Sequence, residues 1–238
     1  MSGTTDHTSK NFDIELESLR TRVLQMGGLA EQQVRKAIDA MYSGNIAELE
    51  AVVRDDQRIN ELEVDIDALC NQIIAKRQPT AIDLRMIVSV LKTISDVERV
   101  GDKAQKIARL AIGLHQENGS KIIPQIDLRG MAEKALTMLR LALDGFARLD
   151  VNQAAEAMRL DDQVNAEYKA MNRQLITYMM EDPRTISRSL DIISIAKAVE
   201  RIGDHACNIA DYVIYMVKGI NVRHESTEEI LAKLGQDA

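Results

Sequence analysis

The chain has 238 residues, a formal net charge of −7 and 45% hydrophobic residues, yet only five Tyr, two Phe and no Trp, with three Pro. An aliphatic composition of this kind favours packed helices, and the length suits one or two domains. The acidic balance lacks the clustered Lys and Arg that phosphate neutralisation requires, which excludes nucleic acid as a partner.

Residues 1–11 are polar and are expected to fray. A first helix is predicted from about Phe12 to Tyr42, with Leu16, Leu19, Val23, Met26 and Ala30 at helical spacing. Ser43-Gly44-Asn45 ends it. Asn45 and Glu48 form a capping box for a second helix, whose apolar residues run through Val52, Ile59, Leu62, Ile66, Leu69 and Ile73 until Arg77-Gln78-Pro79. Thr80 and Asp83 open a third, which passes Ile87, Leu91, Ile94 and Val97 and stops near Leu114. The turn-rich stretch from Gln116, followed by Pro124, reads as a linker over 116–126.

The plan then repeats. A helix is predicted from Asp127 to Leu149, Asp150 with Gln153 caps a second reaching about Met180, and Asp182-Pro183 turns the chain into a third from Thr185 to Val217, stopped by Gly219. The tail, 219–238, offers Ser226 and Glu229 as the cap of one short helix before Gly235. The resulting expectation is all-α: two tandem pseudo-symmetric three-helix bundles, 12–115 and 127–218, built from six long antiparallel helices.

The duplication shows in the letters. Val97-Glu98-Arg99-Val100-Gly101-Asp102 returns as Val199-Glu200-Arg201-Ile202-Gly203-Asp204, followed in both copies by matching Ala and Ile positions. Acids four apart lie side by side on one helical face, at a repulsive cost of a few tenths of a kcal/mol. A mid-helix glycine costs about 1 kcal/mol against alanine. Keeping both features twice implies that something approaches the backbone closely, either a neighbouring helix or an ion held by the carboxylates. On the helical wheel Glu98 and Asp102, like Glu200 and Asp204, flank the apolar stripe. The second helix of each unit offers a companion pair, Asp56 with Asn60 and Asp161 with Asn165, and Asn208 lies one turn beyond Asp204. Such carboxylate and amide oxygens suit a hard cation such as Mg, or Fe, Zn or Mn, while the competing interpretation is a solvated acidic face beside Arg99, Lys103, Lys106 and Arg201.

Other chemistry finds little support. No His stands three residues after an acid, as a ferritin-like di-iron site would need, and there is no phosphate-cradling Gly-rich loop, no Gly-x-Ser-x-Gly and no His-Glu-x-x-His. His205 reads as incidental to the motif. Cys70 and Cys207 lie far apart without ligand spacing and are expected to be buried thiols, not a zinc site or a disulfide. The residues from Met1 to His7 carry no apolar leader and no run of about 18 apolar residues occurs, so a cytoplasmic protein without a transmembrane segment is expected.

The ordered set Met26-Gly27-Gly28, Ile74-Ala75-Lys76-Arg77-Gln78-Pro79-Thr80-Ala81 with Asp83-Leu84-Arg85, both Glu-Arg-x-Gly-Asp copies, Thr177-Tyr178-Met179-Met180-Glu181-Asp182, Asn208-Ile209 and Val217-Lys218-Gly219 resembles the PhoU family over nearly the whole chain. The resemblance implies tandem three-helix bundles with metal-holding acidic motifs. These map to Glu98, Asp102, Glu200, Asp204, Asp56 and Asp161, with Asn60, Asn165 and Asn208 as auxiliary ligands. Asn60 and Asn165 depart from the family pattern, in which a second carboxylate can stand there. It further implies a non-enzymatic adaptor, often a homodimer, that couples the phosphate ABC transporter through its ATPase PstB to the sensor kinase PhoR. Such adaptors hold the phosphate-starvation regulon and phosphate uptake in check. Arg77, Gln78 and Arg85, at a helix junction, are the candidate partner contacts. A metal-dependent helical enzyme and a helical scaffold unrelated to phosphate are the rival expectations.

Overall fold

The computed structural model describes residues 3–116, 126–220 and 229–230, with side chains from Phe12 onward. Most of the expected linker and of the expected tail helix therefore lies outside the described residues. Six long helices follow one another: α1 (Gly3–Ser43), α2 (Ile46–Arg77), α3 (Ala81–Gln116), α4 (Arg129–Arg148), α5 (Val151–Glu181) and α6 (Ile186–Lys218), the last entered through a 3-10 turn at Pro183–Thr185. Among the described residues there is no strand.

Local chemistry sets the ends. Asn45 caps α2 by accepting the Glu48 N–H at 3.2 Å while its own amide donates to the Glu48 carboxylate. At the start of α3 the Thr80 hydroxyl donates to Asp83 at 2.9 Å. Asp150 caps α5 by accepting the Asn152 N–H at 2.8 Å, so Gln153 takes no part in the cap. Gly219, at φ +76°, closes α6 in the left-handed conformation that glycine adopts without strain. Two ends differ from expectation. α1 begins at Gly3, well before its apolar stripe, because no Pro or Gly interrupts residues 4–26 and each further residue adds a hydrogen bond to an existing helix. α4 begins at Arg129, whose N–H is taken by the Asp127 carboxylate lying just outside the helix.

Helices α1, α2 and α3 pack together, as do α4, α5 and α6, and the two units join through α3 against α6 and, less extensively, α1 against α4. α3 and α6 run antiparallel. Arg188 near the start of α6 donates to the Leu114 carbonyl at 3.0 Å, while the Arg85 guanidinium near the start of α3 packs on Gly219 at the end of α6. Each unit was expected to bury its own core; instead the buried aliphatic side chains of both form one continuous core. α1 and α4 are pinned by Arg35 to Glu133 at 2.7 Å and Arg140 to Glu31 at 2.6 Å.

The close approach of α4 explains part of the Met26-Gly27-Gly28 motif. A Cβ on Gly27 would meet Leu143 of α4 at 2.5 Å, whereas Gly28 faces open space. Gly27 is therefore one point where the second unit presses on the first.

Candidate functional site

In the first unit the acids gather where α2 crosses α3. Asp56 is only 4% exposed, and its Oδ1 has neither solvent nor a hydrogen-bond donor, while Oδ2 accepts from Gln105 at 2.9 Å. Leaving such an oxygen unmade costs about 1–3 kcal/mol, and more when the group is charged. That oxygen lies 3.1 Å from where a Gly101 Cβ would stand, so the glycine admits Asp56 and Ile59 against the α3 backbone between Glu98 and Asp102. Of the two sources of close approach considered for this glycine, the neighbouring helix is present. Glu98 is half-buried and Asp102 exposed. Burial, then the charges of Asp102, Glu63 and Asp56, push the Glu98 carboxyl above the usual range, with Arg99 opposing. Asp56 is raised by burial and by Asp102, and Glu63 by burial and by Asp67. Asn60 is exposed on α2. Glu63 was missed in sequence because it lies outside the repeated motif, although it stands one helical heptad beyond Asp56 on the same side of α2.

The second unit repeats the arrangement with different surroundings. Burial and the charges of Asp204, Asp162 and Glu200 raise the Asp161 carboxyl, while Asn165, donating to Asp161 Oδ2 at 2.8 Å, acts the other way. Asp161 Oδ1 also lacks a hydrogen bond, and Gly203 leaves it 3.7 Å from a Cβ position. Here the acids have cations of their own. Lys197 Nζ stands 2.6 Å from the Glu200 carboxylate and Arg201 3.3 Å from Asp204.

Among the described residues no three His, Cys, Asp or Glu side chains converge closely enough to enclose one ion. The first unit nevertheless fits a hard cation on an open face, since it presents all-oxygen donors, an orphaned buried oxygen and mutual repulsion that a cation would relieve. The second unit fits poorly, because an ammonium already sits on Glu200.

A further polar cluster, overlooked in sequence, lies in the α3–α6 seam. Asp96 is buried and accepts from His205 Nδ1 at 2.8 Å, Asn208 at 3.0 Å and Tyr212 at 2.8 Å. Burial alone would raise its carboxyl, but these donors, led by His205, outweigh it and hold Asp96 below the ordinary range. His205, read as incidental, is 2% exposed and is a structural partner of the other unit. Asn208 donates here, not towards the Glu200 and Asp204 face where it was expected to help. The signal was present: Asp96 falls between Thr93 and Val100 on the buried face of α3, and His205 between Ile202 and Ile209 on that of α6. Lys92 stacks over the rings of Tyr212 and Tyr215 at 5.7 and 5.6 Å beside them.

The junction residues are placed as follows. Arg77 makes two 2.9 Å bonds to Glu15 of α1, which hold the Glu15 carboxyl below its usual range. Gln78 is exposed, at φ +47°, and closes α2. Arg85 packs on the end of α6. Cys70 is buried, and burial pushes its thiol up to about 12; Cys207 is half-buried and raised further by burial and by the neighbouring Asp161.

A family model described as the PhoU domain matches residues 23–111 and 128–213. The phosphate-specific transport system accessory protein PhoU homolog of Pseudomonas putida is 44% identical over 230 residues, covering 97% of this chain and 90% of that protein. The accessory protein PhoU of Escherichia coli K12 is 42% identical over 224 residues, covering 94% and 92%. The crystal structure of PhoU from Pseudomonas aeruginosa superposes with a TM-score of 0.83 at 45% identity, covering 88% of this chain and all of that one. The phosphate transport system regulatory protein PhoU from Streptococcus pneumoniae gives 0.80 at 28% identity, covering 89% and 99%.

Proposed function

The chain belongs to the PhoU family, and we propose that it is a cytoplasmic, non-enzymatic adaptor of phosphate homeostasis. In this reading it restrains phosphate uptake and the phosphate-starvation regulon by coupling the transporter ATPase PstB to the sensor kinase PhoR, and it works as a homodimer. The observation that carries the reading is similarity along almost the entire chain to proteins named for the phosphate-specific transport system. No helix among the described residues is long and apolar enough to cross a membrane, which suits a component that docks on a transporter from one side.

The surface agrees with an adaptor's task. Large apolar side chains are exposed at equivalent corners of the two units: Ile82 and Leu84 beyond the α2–α3 turn, and Met180, Ile186 and Leu190 around the α5–α6 turn. Exposed apolar side chains at such corners are candidate points of contact for a partner. Gln78, exposed at the α2–α3 turn, is assigned to partner contact together with Arg77 and Arg85. Glu98, Asp102 and Asp56 are assigned to a divalent cation, with Glu200, Asp204 and Asp161 as their counterparts.

The test is a phosphate-starvation reporter in a strain lacking this chain. Derepression in phosphate-rich medium, reversed by complementation, is expected. A reporter that stays silent under those conditions would refute the assignment.

A further inference from the structure

We propose that the cleft between α1 and α2, apart from the acids where α2 crosses α3, binds one free hydrogen phosphate ion. Leu29, Gln32, Gln33 and Lys36 of α1, with Asp55, Arg58 and Ile59 of α2, line a cavity of about 40 Å³ there. Lys36 is half-buried and Arg58 exposed, and among the described residues no ion pair engages either of them. An independent observation points to a ligand. Gln33 is more than nine-tenths buried, yet its Oε1 has no hydrogen-bond partner. The two ends of an amide have the same shape, so its NH2 can stand there instead and donate to an anion held by Lys36 and Arg58.

The sister unit shows that the fold itself does not need this polarity. The alignment that sets Asn45 on Asp150 and Asp56 on Asp161 also sets Gln33 on Met138, Lys36 on Leu141 and Asp55 on Leu160. Met138 is fully buried, and Leu141 and Leu160 pack against the core. Apolar side chains at these places leave no polar atom stranded, so an unpartnered Gln33 in the first unit points to a use other than stability. Size and charge then select the ion. One water needs about 10–15 Å³, so the cavity has room for about three oxygen atoms, with a fourth at the mouth beside the exposed Gln32 and Arg58. Five polar side chains thus share the four oxygens of a tetrahedral oxyanion, which leaves none for an ester bond to a larger group. Asp55 chooses among such ions: its carboxylate accepts from the hydroxyl of hydrogen phosphate but repels sulfate, which carries no proton at neutral pH. The two cations turn a metal ion away from the same oxygens. The site does not depend on the adaptor reading; joined to it, it would let the chain answer to phosphate itself.

The experiment is a calorimetric titration of potassium phosphate into full-length protein treated with a chelator, so that no metal on the acidic faces can carry phosphate. One phosphate per chain is expected, with no heat from sulfate or phenyl phosphate at the same concentration. Gln33→Met and Lys36→Leu, which copy the second unit, should each weaken phosphate binding at least about tenfold while circular dichroism shows unchanged helicity. Arg54→Gln, which removes a cation of α2 that lies outside this cleft, should bind phosphate as the unsubstituted protein does. No saturable phosphate binding, equal binding of sulfate, undiminished affinity in a helical Lys36→Leu protein, or an equal loss in Arg54→Gln would overturn the site. Equal binding of phenyl phosphate would overturn its assignment to the free ion. None of these results bears on the reporter test of the adaptor role.

Discussion

Adjacent glycines in α1 provide the sharpest test of how the two units are joined. At Gly27 an added methyl would stand 2.5, 2.9 and 3.3 Å from Cδ1, Cδ2 and Cγ of Leu143. Both Leu143 methyls lie inside contact distance and Leu143 is itself buried, so the side chain must shift within packed surroundings. Inserting a methyl into a packed core costs about 1–3 kcal/mol, against which alanine recovers at most about 1 kcal/mol of helix propensity. Gly28, one residue on, is exposed with nothing near its Cβ position, so Gly28→Ala should stabilise by about 0.4–1 kcal/mol. The two variants should then differ by about 2 kcal/mol. At roughly 3 °C per kcal/mol for a chain of this size, that is a gap of about 6 °C in Tm. Thermal melts followed at 222 nm would show Gly28→Ala above the parent protein and Gly27→Ala at or below it. A Gly27→Ala protein that melts as high as Gly28→Ala would refute the close α1–α4 contact.

The repeated motif allows a second paired comparison. A methyl on Gly203 meets the flexible Met138 at 3.4 Å and Asp161 Oδ1 at 3.7 Å, both ordinary contacts, but one on Gly101 meets buried Ile59 at 2.9 Å and Asp56 at 3.1 Å. Gly203→Ala should therefore raise the urea midpoint, by up to about 1 kcal/mol of stability, and Gly101→Ala should not; equal gains would count against the crowding at α2. In the seam, Asp96→Ala removes the acceptor shared by His205, Asn208 and Tyr212 and should cost about 3–5 kcal/mol. Asp96→Asn should cost less, since an amide oxygen still accepts. Urea denaturation curves that separate neither variant from the parent would show that the cluster contributes nothing to the junction.

Much of this architecture is written in short-range signals. The six helices follow from apolar spacing and from caps such as Asn45 and Asp150, which act within three residues of themselves. The pairing of acids within each motif is equally local, being a consequence of the helical repeat. What connects distant residues is less visible. Nothing in the spacing of Gly27 names Leu143 as its neighbour, and Glu63 lies on a helix that the repeated motif does not include. Arg77 and Arg85 were read as partner contacts from their place at a helix junction alone; the groups they touch within the chain, Glu15 and the end of α6, come from distant sequence.

The seam cluster also bears on why two copies of one plan are not interchangeable. Under the repeat that matches Gly101 to Gly203, Asp96 corresponds to Ala198 and His205 to Lys103. A symmetric junction would place the cluster twice, once on each side of the axis relating α3 and α6; here it occurs on one side only. A buried carboxylate held by three donors is stable only with all of them in register, so it fixes a single alignment of α3 on α6. The same asymmetry recurs at the acidic faces, where Lys197 replaces Ser95. The two units are thus similar rods that differ at a few positions, which gives them different electrostatic faces in a fixed relative orientation. The adaptor role proposed above would draw on that arrangement, because a partner can be recognised by the charge pattern of one unit while the shared core keeps both units presented at once.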